Sequence, residues 1–378
     1  MENKEKKPLE IYVHIPFCVK KCEYCDFLSG PAGEERQEAY VQALLREIEA
    51  QQAGTDRMVT SVFIGGGTPS AIKAEAIGEI LKKLKEKFMI SPGAEITMEA
   101  NPGTLTREKL SIYKECGINR ISLGLQSTKD SELKALGRIH TYQEFLESFK
   151  LVREAGFGNV NVDLMSAIPG QTYETWIQNL KTVAELNPEH ISAYSLIVEE
   201  GTPFYEKELD LPDEETEYRM YEDTAAVLKK YGYEQYEISN YAKPGFACRH
   251  NIGYWKRTDY LGLGLGAASL FEGSRYNNTE NMEEYLEKSA CPDSIKKDLE
   301  YLKETEQWEE FMFLGLRMTK GICEAEFEEI FGIKMPDRYK EILKKYEKSG
   351  FMEQHDGWWC FSRKGIHVSN QILAEFLE

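Results

Sequence analysis

Short apolar runs near residues 10–15, 59–65, 95–99, 119–124, 159–165 and 190–196 punctuate the first two-thirds of the chain. Between them, near 34–52, 71–88, 106–116, 130–155 and 172–186, apolar residues recur at helical spacing among charged ones. This alternation predicts an α/β fold of βα units with a parallel sheet, closed or partly closed into a barrel. Such sheets collect ligands outside the C-terminal ends of their strands. Thr68 follows the second run, Glu99 ends the third, Gln126 follows the fourth and Asp163 lies near the end of the fifth. Spacing alone therefore predicts that these polar residues converge.

The pattern changes after about residue 280. Helical stretches near 296–319, 324–331 and 336–348 lead into a segment in which Asp356-Gly357 between apolar runs signals a hairpin. Ser362 then caps a last helix running to about 376. The expected organisation is a barrel over residues 1–280 and a small C-terminal α+β domain, winged-helix-like, over 281–378. Winged helices often bind DNA, but 46 basic against 64 acidic residues give a net charge of −18. That balance, with no basic recognition stripe, opposes nucleic-acid binding and favours a domain that docks on the barrel.

The chemistry concentrates in Ile11-Tyr-Val-His-Ile-Pro-Phe-Cys-Val-Lys-Lys-Cys-Glu-Tyr-Cys-Asp-Phe27. Cys18, Cys22 and Cys25 stand at Cys-x3-Cys-x2-Cys spacing, enough to ligate three irons of a 4Fe–4S cube and leave the fourth to a small molecule. Thiolate also suits zinc, and spacings of four and three also fit a buried helical stripe. A zinc site would call for a fourth Cys or His, usually in a second paired motif, whereas the other five cysteines are scattered singly. Gly65-Gly66-Gly67-Thr68-Pro69 is not a dinucleotide fingerprint, because Ser70 replaces the third glycine, and no Gly-Lys-Ser/Thr follows to make a P-loop. Eight cysteines in 378 residues are too sparse for a disulfide scaffold. No apolar stretch reaches the roughly 18 residues of a membrane span, and the start lacks a signal-peptide core. A cytoplasmic protein is expected.

The strand ending in His14-Ile-Pro-Phe-Cys18, with Tyr24-Cys25-Asp26-Phe27, resembles the radical S-adenosylmethionine (SAM) proteins related to oxygen-independent coproporphyrinogen dehydrogenase, in particular the branch of HemW-type haem chaperones. The resemblance extends through Gly65-Gly-Gly-Thr-Pro69, Glu99-Ala-Asn-Pro-Gly103, Ser122-Leu-Gly-Leu-Gln126, Asn161-Val-Asp-Leu164 and His250-Asn-Ile-Gly-Tyr-Trp255. It covers residues 10 to about 270 and is weaker beyond. It implies a partial (β/α)6 barrel carrying a 4Fe–4S cluster and SAM. By the same resemblance Gly66, Gly67 and Thr68 meet the SAM amino group, and Tyr12 and Tyr24 flank the adenine. Glu99, Gln126 and Asp163 hold the ribose and amino-acid parts, and Arg138 pairs with the carboxylate, for which a planar guanidinium is well shaped. Ile197 and Ala268 match apolar positions around the adenine, and His14 supports the cluster loop.

In the haem-chaperone branch the His250-Asn251-x-x-Tyr254-Trp255 motif is associated with haem. Imidazole is a normal axial ligand for haem iron, and Tyr254 and Trp255 could pack flat on a porphyrin. The same residues could instead close the end of the barrel, with Cys248 as an alternative soft ligand. Two functions follow from the resemblance. One is a haem chaperone that passes haem to an acceptor, expected to be a respiratory haemoprotein. The other is an enzyme: the dehydrogenase that decarboxylates coproporphyrinogen III, or another radical SAM reaction. Phe27 stands where the dehydrogenase carries a further cysteine, and only 17 residues precede Cys18 where that enzyme has a longer segment. Both departures favour the chaperone.

Overall fold

The computed structural model describes residues 7–377. Six parallel strands lie side by side in chain order: β1 (Leu9–Ile15), β2 (Met58–Gly66), β3 (Met89–Ala100), β4 (Arg120–Gln126), β5 (Val160–Ser166) and β6 (His190–Ser195). Helices α1 (Glu34–Ala50), α2 (Ala74–Lys87), α3 (Arg107–Glu115), α4 (Asp130–Ala135), α5 (Tyr142–Glu154) and α6 (Tyr173–Glu185) connect them, and α7 (Glu214–Lys229) packs against α6. Strands β1 and β6 do not pair with each other, so the set is an open, partial barrel. Strands β7 (Glu234–Gln235) and β8 (Asn240–Ala242) extend it beyond β6. After α8 (Arg249–Trp255), strand β9 (Tyr260–Leu263) runs parallel to β1, and β10 (Ala268–Phe271) and β11 (Ser274–Asn278) continue antiparallel. Helices α9 (Met282–Lys288) and α10 (Pro292–Ile295) precede the edge strand β12 (Lys296–Tyr301).

Because side chains alternate along a strand, the two faces of β1–β6 are distinct. One face carries Ile11 and Val13, Val62 and Ile64, Ile96 and Met98, Ile121 and Leu123, Val162 and Leu164, and packs on the helices. Full burial of each such side chain contributes about 1.5–3 kcal/mol. The other face is mostly polar, with Phe63 of β2 its apolar exception. It carries Glu10, Tyr12 and His14 on β1, Ser61 on β2, and Glu95, Thr97 and Glu99 on β3. Arg120 and Ser122 follow on β4, Asn161 and Asp163 on β5, and His190, Ser192 and Tyr194 on β6, in one continuous register. The barrel interior is thus a column of hydrogen-bonding groups.

The C-terminal part is α+β and winged-helix-like. Helix α11 (Glu304–Gly315), strand β13 (Ile322–Cys323), α12 (Glu324–Phe331) and α13 (Met335–Lys348) lead to the hairpin β14 (Met352–His355) and β15 (Trp358–Phe361), followed by α14 (Arg363–His367) and α15 (Ser369–Ala374). It has its own core around Phe311, Phe327, Tyr339, Trp359 and Phe376. Asp356 and Gly357 turn the hairpin with positive φ, and Ser362 Oγ caps the next helix by accepting Gly365 N–H at 3.1 Å.

Three helical expectations change in detail. Residues 296–301 are strand β12, because pairing with β11 overrides the helix-favouring Lys, Leu and Glu residues. The last helix divides at Val368. The stretch 130–155 is two helices, broken at Gly137. A side chain at Gly137 would lie 2.6 Å from Glu23 Cγ and its φ is +74°, so only glycine lets the cysteine loop approach here. Glu23 N–H donates to Leu136 O at 3.1 Å across that contact. Thr141 then restarts the helix with a reciprocal capping box to Glu144.

Candidate functional site

At the C-terminal ends of β1–β6 a cavity is lined by Cys18, Cys22, Tyr24 and Cys25 on one side. Facing them are Gly66, Gly67, Thr68, Glu99, Gln126, Arg138 and Asp163, together with Asn101, Ser122 and Tyr194. Eleven residues singled out from the sequence therefore meet in one place. The loop bearing the thiols is pinned by Cys18 N–H to Gly30 O at 3.0 Å and Thr68 N–H to Phe17 O at 2.7 Å.

The polar side is preorganised. Glu99 Oε2 accepts Gly66 N–H at 3.1 Å. Arg138, released from helix by the break at Gly137, donates to Asn101 Oδ1 at 2.7 Å and to Gly124 O, and points Nη1 at Cys22 Sγ, 3.6 Å away. Asn101 Nδ2 in turn donates to Thr68 Oγ1 at 2.7 Å. Tyr194 OH donates to Gln126 Oε1 at 2.9 Å, with Gln126 held at a φ of +74°. Asp163 accepts from Asn161 Nδ2 at 2.7 Å and Ser122 Oγ at 3.2 Å. Burial, and then neighbouring Asp163, push the Glu99 carboxyl up to about 8. Asp163 is also raised by burial, against its hydrogen bonds and Arg120. Burial raises the Cys25 thiol, opposed by its backbone hydrogen bond and Lys21. A cationic ligand group would relieve both carboxyls at once.

Among the described residues no three His, Cys, Asp or Glu side chains gather closely enough to hold a single metal ion. Three thiols spaced around one cavity, each able to take its own iron of a cube, fit a 4Fe–4S cluster. The oxygens opposite them fit an amino group, and the Arg138 guanidinium among them fits a carboxylate, so the lining suits a small amino-acid-like ligand beside such a cluster. When bound, such a cluster supplies an electron to that molecule.

Five residues singled out from the sequence lie outside the lining. Tyr12 is on the interior face, where its hydroxyl bonds His14 Nδ1 at 3.0 Å and its ring stacks on Phe63. His14 Nε2 meets Leu28 O at 2.9 Å, bracing the end of the cysteine loop. Ile197 is 67% exposed after β6, and Ala268 is exposed on β10. His250, in the first turn of α8, faces the strands near their N-terminal ends, at the level of Glu95, about 13 Å of β3 below Glu99 at the cavity. It is 1% exposed. Its Nδ1 is 2.8 Å from Ser61 Oγ and 3.7 Å from Glu10 Oε2, and its ring stacks on Phe63 and meets Tyr254 edge-on. Burial, and then Arg120, pull its pKa down to about 3. Glu95 Oε1 holds the start of α8 through Cys248 Sγ at 3.3 Å and Arg249 N–H at 3.0 Å.

The outer side of α8 presents a second surface. Asn251, Tyr254 and Trp255 line a groove of about 380 Å³ with Leu270, Arg275 and Leu314. The motif is therefore split, with His250 facing inward and its aromatic residues outward.

Comparison with known proteins fixes the family. Residues 12–183 match the Radical SAM superfamily and residues 302–368 the HemN C-terminal domain. The chain is 36% identical over 372 residues to the heme chaperone HemW of Bacillus subtilis, covering 97% of this chain and 98% of that protein. It is 36% identical over 382 residues to the heme chaperone HemW of Escherichia coli, with 98% of each covered. This chain belongs to the HemW family of radical SAM proteins. Its fold is also that of coproporphyrinogen III oxidase (HemN) from Escherichia coli, a radical SAM enzyme, with a TM-score of 0.85 at 24% identity over 99% of this chain and 91% of that one. No helix among the described residues is long and apolar enough to cross a membrane.

Within this HemW-family site, sequence reasoning missed Asn101, Ser122 and Tyr194. Asn101 and Ser122 stand inside motifs already quoted, two residues after Glu99 and four before Gln126. Strand alternation places Ser122 on the Gly124 face, so its position was recoverable. Tyr194 could be found only from the register of β6 against β5, where it pairs with Met165.

Proposed function

We propose that this protein is a haem chaperone, which binds haem together with a SAM-liganded 4Fe–4S cluster and hands the haem to an acceptor protein in the cytoplasm. Cys18, Cys22 and Cys25 hold three irons. Gly66, Gly67 and Thr68 receive the SAM amino group, Arg138 its carboxylate, and Glu99, Gln126 and Asp163 the ribose and amino-acid parts, with Tyr24 beside the adenine. Tyr12, Ile197 and Ala268 lie outside the lining and are not needed for this assignment.

The observation that supports carrier over enzyme is the presence of two separate surfaces. A polar cavity suits a cluster and a zwitterion, and an aromatic groove at the other end of the barrel suits a flat apolar ring. Haem packs on Tyr254 and Trp255, and His250 reaches its iron only if α8 lifts. The relatives matched over their whole length are named heme chaperones, in keeping with this reading. The acceptor is expected to be a respiratory haemoprotein.

Anaerobic reconstitution followed by parallel assays tests the proposal. Haem should bind and pass to an apo-haemoprotein without chemical change. Decarboxylation of coproporphyrinogen III at enzymatic rates, the reaction implied by the shared dehydrogenase fold, would overturn it.

A further inference from the structure

The groove beside α8 contains one cation and a surplus of positive charge. Glu310, on α11, is 4% exposed. It binds two guanidinium groups, Arg257 Nε at 2.7 Å through Oε2 and Arg275 Nη2 at 2.7 Å through Oε1. Counted among these three groups, two arginines against one carboxylate leave a charge of +1; Glu300, opposite Arg275 on β12, is solvent-exposed. The two arginines differ in position. Arg257 is sealed, with its side chain 10% exposed, whereas that of Arg275 is 39% exposed and lines the groove with Tyr254, Trp255, Leu270 and Leu314. The guanidinium that shares Glu310 and is the more exposed of the two therefore faces the apolar surface. A cation at the edge of an aromatic groove selects a ligand that is flat and apolar over most of its area and anionic at one edge.

We propose that Arg275 is the specificity-determining residue of this groove and pairs with a propionate carboxylate at the edge of the haem. This rests on the reading that haem occupies the groove. Arg257 makes the arrangement workable. When Arg275 turns toward the ligand, Arg257 stays on Glu310, so no bare carboxylate is left buried between the barrel and α11. A single arginine could not serve both partners. The proposal also explains why the exposed member of the triad comes from β11, which borders the groove, and the buried member from the turn that ends α8.

The test compares haem with its dimethyl ester, which has the same ring and iron but no free propionates. Full-length protein is titrated with each ligand, following the Soret band. The wild type should bind haem at least tenfold more tightly than the ester, in line with one charge-assisted hydrogen bond. Arg275→Gln should lower haem affinity to that of the ester and leave ester binding unchanged. Arg275→Lys should restore part of the preference, which a merely structural role at the interface would not reproduce. Equal affinities for the two ligands in wild type, or a preference that survives in Arg275→Gln, would overturn the proposal. Trp255→Ala separates the two levels of the argument. If it weakens both ligands while Arg275→Gln keeps the preference, only the role of Arg275 is wrong. If it leaves both affinities unchanged, haem lies elsewhere and the groove assignment itself fails.

Discussion

Glu10 and His250 face each other across Ser61 under α8, and their protonation states oppose one another. Burial is the main influence on both. It raises Glu10 from 4.5 to about 8, with Glu95 adding to the rise and a Ser61 hydrogen bond opposing it. It lowers His250 from 6.5 to about 3. Near pH 6 the folded protein therefore keeps a protonated carboxyl beside a neutral imidazole, while the unfolded chain has a carboxylate and largely an imidazolium. The lowered histidine makes stability increase with pH from about 3 to 6.5, because the unfolded chain holds the extra proton there. The raised carboxyl does the reverse, making stability decrease as pH rises from 4.5 to about 8. Between pH 4.5 and 6.5 the two slopes cancel.

Single replacements expose each slope. A full proton of difference is worth about 1.4 kcal/mol per pH unit. Glu10→Gln should therefore gain on the wild type by about 2–3 kcal/mol between pH 5.5 and 7.5. His250→Gln should gain by a similar amount as pH falls from 6.5 to 4.5. Each gain is superimposed on a pH-independent offset for lost contacts. Urea unfolding of the metal-free protein across this pH range measures the differences, provided the denaturant slopes match. A stability difference that does not change with pH for either variant would show that the layer under α8 is open to water and that the helix does not seal it.

Replacing Cys18, Cys22 or Cys25 by Ser should each abolish the broad iron–sulfur absorption, while Cys248→Ser, buried under α8, should keep it; iron content and visible spectra after reconstitution decide. Glu99→Ala and Arg138→Ala should weaken SAM binding roughly tenfold to a hundredfold with iron content intact, as expected for loss of a charge-assisted hydrogen bond worth about 1.5–3 kcal/mol. Unchanged affinity in both would refute their assignment. Thr97 Oγ1 is buried on the interior face with no hydrogen-bond partner among the described residues, so Thr97→Val should stabilise the metal-free protein by about 1 kcal/mol in urea unfolding. Destabilisation would mean that this hydroxyl is hydrated.

Much of this arrangement was legible because two periodicities report directly on it. The six apolar runs became β1–β6, and Thr68, Glu99, Gln126 and Asp163 met at their ends because a parallel βα sheet brings every such end to one side. What was hidden depends on pairing between distant segments. Strand β12 reads Lys-Lys-Asp-Leu-Glu-Tyr, a helix-favouring composition, and is extended because β11 offers it an edge. Strands β7 and β8 have two and three residues, too few to show a period. The position of His250 depends on Gly253, three residues after it on α8. Any side chain there would overlap the Glu10 carboxyl, so this glycine lets the helix settle onto β1 and carries the histidine inward. No local pattern distinguishes that inward face from an outward one.

The interior face also shows where function outweighs stability. A parallel barrel can fill its interior with branched aliphatic side chains, and this chain has enough of them to cover the outer face of every strand. Inside, it instead buries Glu10 Oε2, Thr97 Oγ1, Arg120 Nε and His250 Nε2 without hydrogen-bond partners among the described residues. Each such group typically costs about 1–3 kcal/mol. The cost is not confined to the cavity, where a ligand could repay it. Thr97, unpartnered among the described residues, lies on β3 between Glu99 at the cavity and Glu95, which holds the start of α8. The polar column therefore joins the cavity at one end of the barrel to the helix bearing Tyr254 and Trp255 at the other. A sequence selected for stability alone has no reason to keep that column.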